Sequence, residues 1–275
     1  MKVRLWGTRG SIGSAGQRTL QYGGDTSSVE VRTSDGALFI LDAGSGIRAL
    51  GANIEPFEQI DILITHLHMD HVQGLPFFPP LLDPDIRVDI WGPMSTTQSL
   101  RERLAKYLSP PLFPVRVREL ENVVFHDVPP GKFDAGPLTV TADLVCHPGA
   151  TLGYRLDDEG KSIAYLPDHE PGLCSAIETG DAEWTSGFGI ARDADILIHD
   201  AQYTQDEYDA RLGWGHTSIP QLARFAEITA PDRLVTFHHD PSHDDDLLDD
   251  MHLDLASQLG DAELIPGKYG SVIEA

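Results

Sequence analysis

Residues 65–74 read THLHMDHVQG, and this stretch decides how the rest of the chain is read. Between positions 66 and 71 it gathers His66, His68, Asp70 and His71. Neutral imidazole and carboxylate are the donors that borderline divalent ions prefer. The apolar run Ile60–Ile64 comes just before, so the histidines begin where a buried strand is expected to end. Functional groups gather in loops beyond strand ends in α/β folds. Alternate side chains of extended backbone share a direction, so His66 and His68 can point into one site. Asp70 and His71, placed after the chain turns, can face a second site beside it.

The pattern recurs. CHPG places His147, PDHE places Asp168, and FHHD places His238 and His239, each after a strand-like run. Two metals roughly 3.5–4 Å apart need one bridging carboxylate and separate ligands on each side. Asp168 suits the bridge.

Bulk properties narrow the classes. The chain has 275 residues and 41% hydrophobic content, enough for a sizeable core. Its 20 Lys and Arg against 43 Asp and Glu give a formal charge of −23. Such a field repels polyanions, and no cluster of Lys or Arg supplies a basic footprint, so long nucleic acid is not an expected partner. A small anionic substrate is expected, with metal ions supplying positive charge locally. Solubility or a salty cytoplasm accounts for the acidity more simply than recognition does. Two cysteines, Cys146 and Cys174, make no disulfide framework and fit a reducing compartment. MKVRLWGTRGS lacks the apolar core of a signal peptide, and no apolar run approaches a membrane span. A cytoplasmic protein without membrane contact is expected.

Local patterns imply one α/β domain, residues 1–275, without internal repeats or linkers. Strands are expected at KVRLW, VEVRT, ALFILDAG, IDILI, IRVDIWGP, NVVFHDV, PLTVTADLV, TLGYRL, KSIAYLPD, ADILIHDAQY and DRLVTFHHDP. STTQSLRERLAKYL predicts a helix with Ser95 as N-cap. SIPQLARFAEITA predicts one with Pro220 in its first turn. DDDLLDDMHLDLASQLG predicts a last helix with Leu247, Leu248, Met251, Leu255 and Leu259 on one stripe and Gly260 at its stop. The acid run Asp244–Asp246 is expected to favour that helix's N-terminus.

The order His-x-His-x-Asp-His, strand-end His, strand-end Asp and final strand-end His resembles the metallo-β-lactamase superfamily over nearly the whole chain. The resemblance implies a four-layer αββα sandwich with the site at one edge of the two sheets. It implies two divalent ions, Zn²⁺ or Mn²⁺: one held by His66, His68 and His147, the other by Asp70, His71 and His238, with Asp168 between them. His238 is preferred to His239 because the family's last ligand directly ends its strand.

Further pieces indicate a branch. LIHDAQY places Asp200 after a strand, and GWGHTS places His216 before a helix. They resemble the acidic residue and the His-Ser/Thr element of the tRNA 3′-end endonuclease and related cyclic phosphodiesterases. There the His assists phosphoryl chemistry. Here Asp200 stands for Glu and HTS for HST. The alternative is that His216 merely neighbours a helix cap formed by Thr217 or Ser218, and that Asp200 only orients it. VRLWGTRGSI…YGGDTSSVEV resembles an N-terminal signature of this branch, with Asp25 where Asn is expected. Thr8, Arg9 and Thr26 are then candidate substrate contacts, unless the loop only closes one end of the sandwich. Phe77 and Phe78, in GLPFFPPLL, either line the pocket or pack beneath the loop. Asp42 reads as a loop organiser.

His147 and Asp168 are 21 residues apart, room for a hairpin but not for the endonuclease's protruding arm. A small phosphodiester, such as a cyclic nucleotide or cyclic sugar phosphate, fits better than tRNA. The implied mechanism has the metals activate a water that Asp70 steers, while His216 serves the phosphoryl group or leaving oxygen. A thioesterase or lactonase of the same fold, or a non-catalytic metal-binding sensor or accessory protein, are the alternatives. Relatives often dimerise, so a homodimer is a further expectation.

Overall fold

A computed structural model describes residues 1–55, 57–173, 177 and 182–275. Cys174 lies outside them. The first half of the chain forms β1 (Lys2–Gly7), β2 (Ser28–Arg32), β3 (Leu38–Leu41), β4 (Gln59–Leu63), β5 (Arg87–Pro93) and β6 (Val123–Val128). The second half forms β7 (Gly131–Ala135), β8 (Leu138–Leu144), β9 (Leu152–Asp158), β10 (Lys161–Leu166), β11 (Ile196–Asp200), β12 (Arg233–Phe237) and β13 (Glu263–Ile265). The chain then returns, and β14 (Val272–Glu274) pairs antiparallel with β1. Two seven-stranded sheets result, ordered β14-β1-β2-β3-β4-β5-β6 and β13-β12-β11-β10-β9-β8-β7.

Both sheets are mixed. β3 to β6 run parallel in the first, and β10 to β13 run parallel in the second. Parallel strands covered on both faces read as continuous apolar runs, as LFIL and ILI do here. One core lies between the sheets, built from Val3, Leu5, Val29, Leu63, Val140, Tyr165, Ile198 and Phe237 among others. A second lies outside the first sheet, under α1 (Ile47–Gly51), α2 (Met69–Val72) and α3 (Leu100–Leu104). A third lies outside the second sheet, under α4 (Phe188–Ala191), α6 (Ile219–Thr229) and α7 (Asp245–Gln258), with α5 (Gln205–Ala210) nearby in sequence. This is the expected αββα sandwich.

Some local expectations shift. α3 starts at Leu100, capped by Ser99 rather than Ser95. The reason is a capping box: Glu102 N donates to Ser99 Oγ at 3.3 Å, and Ser99 N donates to the Glu102 carboxylate at 2.8 Å. The helix ends at Leu104, so Leu108 is buried from the following turn. α6 carries Pro220 in its first turn as expected. In α7, Asp244 caps the N-terminus and Leu248, Met251 and Leu255 form the buried stripe. Leu247 sits at the stripe's exposed edge, and the chain leaves the helix extended at Leu259, so no left-handed Gly260 is needed.

β9 and β10 form the expected hairpin, closed by Glu159 (φ 49°) and Gly160 (φ 79°). Two left-handed residues suit the twist of a two-residue hairpin turn. No helix among the described residues is long and apolar enough to cross a membrane.

Candidate metal centre

The carboxyl ends of parallel strands β4, β10, β11 and β12, and the end of β8, meet along one edge of the sandwich. After β4 the chain bends at Thr65, is extended at His68 (φ −66°, ψ 152°) and then enters α2. That change separates the motif: His66 and His68 leave an extended segment, whereas Asp70 and His71 leave a helical turn.

Ligand-capable atoms of His66, His68, His147 and Asp168 all lie within 4.8 Å of one another, as do those of Asp70, His71 and His238. Asp168 faces both groups. Its Oδ1 is 3.0 Å from His71 Nε2 and 3.2 Å from His238 Nε2. Its Oδ2 is 3.7 Å from both His66 Nε2 and His147 Nε2. Asp70 Oδ2 lies 3.1 Å from His238 Nε2 and 3.2 Å from His71 Nε2.

This donor set fits a pair of divalent ions. His66 Nε2 and Asp168 Oδ1 are buried without a hydrogen-bond partner, although buried polar atoms are nearly always satisfied. Lone pairs of several imidazoles and two carboxylates converge, and nitrogen and oxygen donors of this kind suit zinc or manganese. The same crowding shifts the titrations. Burial alone raises a carboxylic acid's pKa, but His238, His71 and His66 overcome it and hold Asp168 well below the usual carboxylate range. Burial, then the neighbouring His71 and other imidazoles, hold His66 well below the ordinary histidine value.

A family model described as a beta-lactamase superfamily domain matches residues 38–239. The chain belongs to the metallo-β-lactamase superfamily. Ribonuclease BN of Cronobacter sakazakii is 25% identical over 245 residues, 73% of this chain and 78% of that protein. A solved diphosphatase of the PhnP family superposes with a TM-score of 0.68 at 22% identity, covering 100% of this chain and 97% of its own. Zinc-bound PqqB from Methylobacterium extorquens gives a TM-score of 0.72 at 18% identity, with both chains covered in full.

As elsewhere in metal sites, the outer contacts of this metallo-β-lactamase centre set which ring nitrogen faces inward. His71 Nδ1 meets Asp42 Oδ2 at 2.8 Å, His238 Nδ1 meets Gln202 Oε1 at 2.9 Å, and His147 Nδ1 meets the Gly215 carbonyl at 2.8 Å. Nε2 of each is left for the centre. His68 is turned the other way, with Nδ1 3.3 Å from His147 Nε2. Asp42 is the loop organiser expected. Fully buried and left-handed (φ 58°), it also accepts from Thr65 N at 2.8 Å and from the Tyr165 hydroxyl at 3.0 Å.

His238 rather than His239 faces the centre; His239 Nε2 bonds the Gly267 carbonyl at 3.0 Å. His238 is itself left-handed (φ 57°), and its ring packs where a Cβ on Gly10 would stand, 2.4 Å away. Beside Gly10, Ser11 N donates to Asp70 Oδ2 at 2.8 Å.

His216 stacks on His238 with ring centroids 5.0 Å apart, and its Nδ1 meets Asp200 Oδ2 at 2.7 Å. Burial lowers the His216 pKa, but the Asp200 carboxylate overrides it and raises the value above the ordinary one. Asp200 Oδ1 accepts from Gln202 N and Thr217 N. Ser218 occupies the N-cap of α6 yet makes no capping bond with its side chain. His216 thus lies against the ligand cluster, its Nδ1 4.0 Å from Asp168 Oδ2.

Other expected contacts lie elsewhere. Arg9 is fully buried, and its guanidinium bonds the carbonyls of Gly23, Asp240 and His243. Thr8 Oγ1 donates to the Tyr22 carbonyl, and Thr26 Oγ1 accepts from Ser45 N and Gln73 Nε2. All three side chains tie the N-terminal loop to its neighbours, since that loop must close the sandwich beside the centre. Phe78 is buried in the core outside the first sheet, whereas Phe77 is exposed and packs edge-on against Phe113. The expected absence of a basic cluster also needs correction. Residues 101–118 hold Arg101, Arg103, Lys106, Arg116 and Arg118 against the single acid Glu102.

Sequence reading passed over Gln202, Gly215 and Glu170. Gln202 is two positions beyond Asp200, the alternate-residue offset that exposed His68, and that signal was available.

Proposed function

We propose that this protein is a two-metal phosphodiesterase that hydrolyses a small phosphodiester, such as a cyclic nucleotide or cyclic sugar phosphate. The observation that carries the reading is the Asp200–His216 pair beside the ligand cluster. Hydrolysis of a phosphodiester needs a proton at the leaving oxygen, and a charge-paired imidazole is suited to hold one. Both P–O-cleaving names among the similar proteins, a ribonuclease and a diphosphatase, support the same class.

Bound Zn²⁺ or Mn²⁺ ions supply positive charge beside the phosphoryl group and acidify a water. His66, His68 and His147 would hold one ion and Asp70, His71 and His238 the other, with Asp168 facing both ligand groups. Asp70, oriented by Ser11 N, steers the attacking water. Asp200 fixes Nδ1 of His216, leaving Nε2 to donate to the leaving oxygen. The complete ligand set argues against a sensor or accessory role, and the Asp200–His216 pair favours a phosphodiester over a thioester or lactone.

The short β9–β10 hairpin and the charge of −23 support a small substrate. An RNA substrate has two observations in its favour, the basic segment 101–118 and the similarity to a ribonuclease. The test is protein reconstituted with zinc or manganese and assayed on bis-p-nitrophenyl phosphate, cyclic mononucleotides, cyclic dinucleotides, cyclic sugar phosphates, a 3′-extended RNA, an acyl lactone and a thioester. Turnover of small phosphodiesters alone is the expected result. Hydrolysis confined to the lactone or thioester overturns the reading.

A further inference from the structure

Two residues before His216, the loop 211–215 carries Trp214 into solvent with 61% of its surface exposed. This loop is anchored. Glu170 is fully buried two positions beyond Asp168, and it spends both carboxylate oxygens on the loop. Gly213 N donates to Oε1 at 2.9 Å and Gly215 N donates to Oε2 at 2.7 Å. The Tyr208 hydroxyl also donates to Oε1 at 2.9 Å. The amides on either side of Trp214 are thus clamped by one side chain. Gly213 (φ 85°) and Gly215 (φ 91°) hold the left-handed backbone that this double clamp needs.

The clamp also sets where the loop stands. The Gly215 carbonyl accepts from His147 Nδ1 at 2.8 Å, and a Cβ on Gly215 would sit 2.2 Å from that nitrogen. Trp214 is one residue from Gly215, so its Cα lies about 3.8 Å from a residue in contact with a candidate metal ligand. A rigid, exposed aromatic beside a phosphodiester site offers a face on which a planar ring can stack.

We propose that Trp214 is the aromatic platform for a ring-bearing ester group of the substrate, presented by the Glu170 clamp, so that this site prefers nucleobase-containing phosphodiesters to cyclic sugar phosphates. The inference rests on the phosphodiesterase reading and deepens it.

The experiment compares wild type, Trp214→Ala and Trp214→Phe, each loaded with manganese. Substrates are adenosine 2′,3′-cyclic phosphate and glycerol 1,2-cyclic phosphate, which has no aromatic ring to stack. Trp214→Ala should lower the ratio of kcat/KM between the two roughly 5- to 100-fold, through KM for the adenosine ester. Trp214→Phe should restore KM to within about 3-fold. An unchanged ratio, or an equal fall in kcat for both substrates, overturns the proposal. A separate titration with adenosine 5′-monophosphate should quench tryptophan emission in wild type and not in Trp214→Phe. If wild type hydrolyses neither ester, the phosphodiesterase reading fails and this titration judges the platform alone. No quench, or a quench that survives Trp214→Phe, then sinks it.

Discussion

The two sheets furnish the centre in different ways. The first gives four candidate ligands within a single stretch, His66 to His71, sorted by one passage from extended backbone to helix. The second gives His147, Asp168 and His238 singly, from three strand ends, and nothing local relates them. A ligand group built from one stretch is set by its own backbone. One assembled from distant strands exists only if the sheet is in register and if outer partners turn each ring inward. Gly215 and Gln202 are those partners, and both belong to the second half.

The harshest way to break the comparison is to remove the one side chain that both ligand groups share. Asp168→Ala should lose both ions and reduce turnover to background, because neither oxygen remains between the groups. His68→Ala should lose metal and activity too, yet it strips only one group directly. Metal content by mass spectrometry checks both variants. Two ions per chain in folded Asp168→Ala would refute the bridging role.

Next in size is His216, which touches the centre without being needed to hold it. His216→Ala should keep its metal and slow turnover about 10²–10⁴-fold. The pH profile sharpens this. Asp200 raises the His216 pKa, so the protonated ring persists to higher pH, and activity that needs it falls as pH rises through that raised value. Asp200→Asn should therefore move the alkaline limb to lower pH. Linkage has the same sign: the pair's contribution to stability is fully present below the ordinary histidine pKa and is lost as pH rises through the raised one. An alkaline limb unmoved in Asp200→Asn removes His216 from the proton's path.

What the sequence disclosed follows the same division. The stretch 65–74 was legible because its chemistry is dense and local, and its ordered companions extended it to the whole sandwich. Strand existence was legible from apolar runs such as Ile60–Ile64. For Arg9 the sequence leaves two readings level, since a cation in a glycine-rich loop suits a substrate contact or a loop closure; only the fold reveals that three carbonyls from two distant segments enclose it. Ser99-Leu-Arg-Glu102 carries a stronger capping-box signal than the stretch at Ser95, and the structure follows it. The Glu170 clamp was invisible, since its partners Tyr208, Gly213 and Gly215 lie some forty residues away.

Asp42 is the first half's own exception, a ligand support contributed from outside the motif. Asp42→Asn keeps the shape but places an amide where His71 Nδ1, Thr65 and Tyr165 all need an acceptor. Metal affinity should fall about 10–100-fold, the usual cost of losing such a partner. Competition against a chelator measures it, and the loss should concern one ion more than the other. Equal weakening of both would mean that the two halves are coupled through Asp168 more tightly than their separate construction implies.

The smallest effect is expected in the basic segment 101–118, where charge runs against the molecule's net sign. Arg101, Arg116 and Arg118 line an open groove of about 540 Å³ between α3 and the turn at Val117–Glu119. Arg116 meets Glu119 at 3.5 Å, and Arg118 also acts on that carboxylate. A cyclic mononucleotide carries a single phosphodiester, which the metal centre would hold, and exposed charges are weakened by screening at physiological salt. Arg101→Glu with Arg118→Glu should therefore change KM for a small phosphodiester by less than about 2-fold. A long RNA would lie across this segment, and each lost phosphate contact would lower both affinity and its salt dependence. Should the double reversal raise KM for a 3′-extended RNA many-fold while sparing the cyclic substrate, the basic segment would be a substrate surface and the preference for small phosphodiesters would fall.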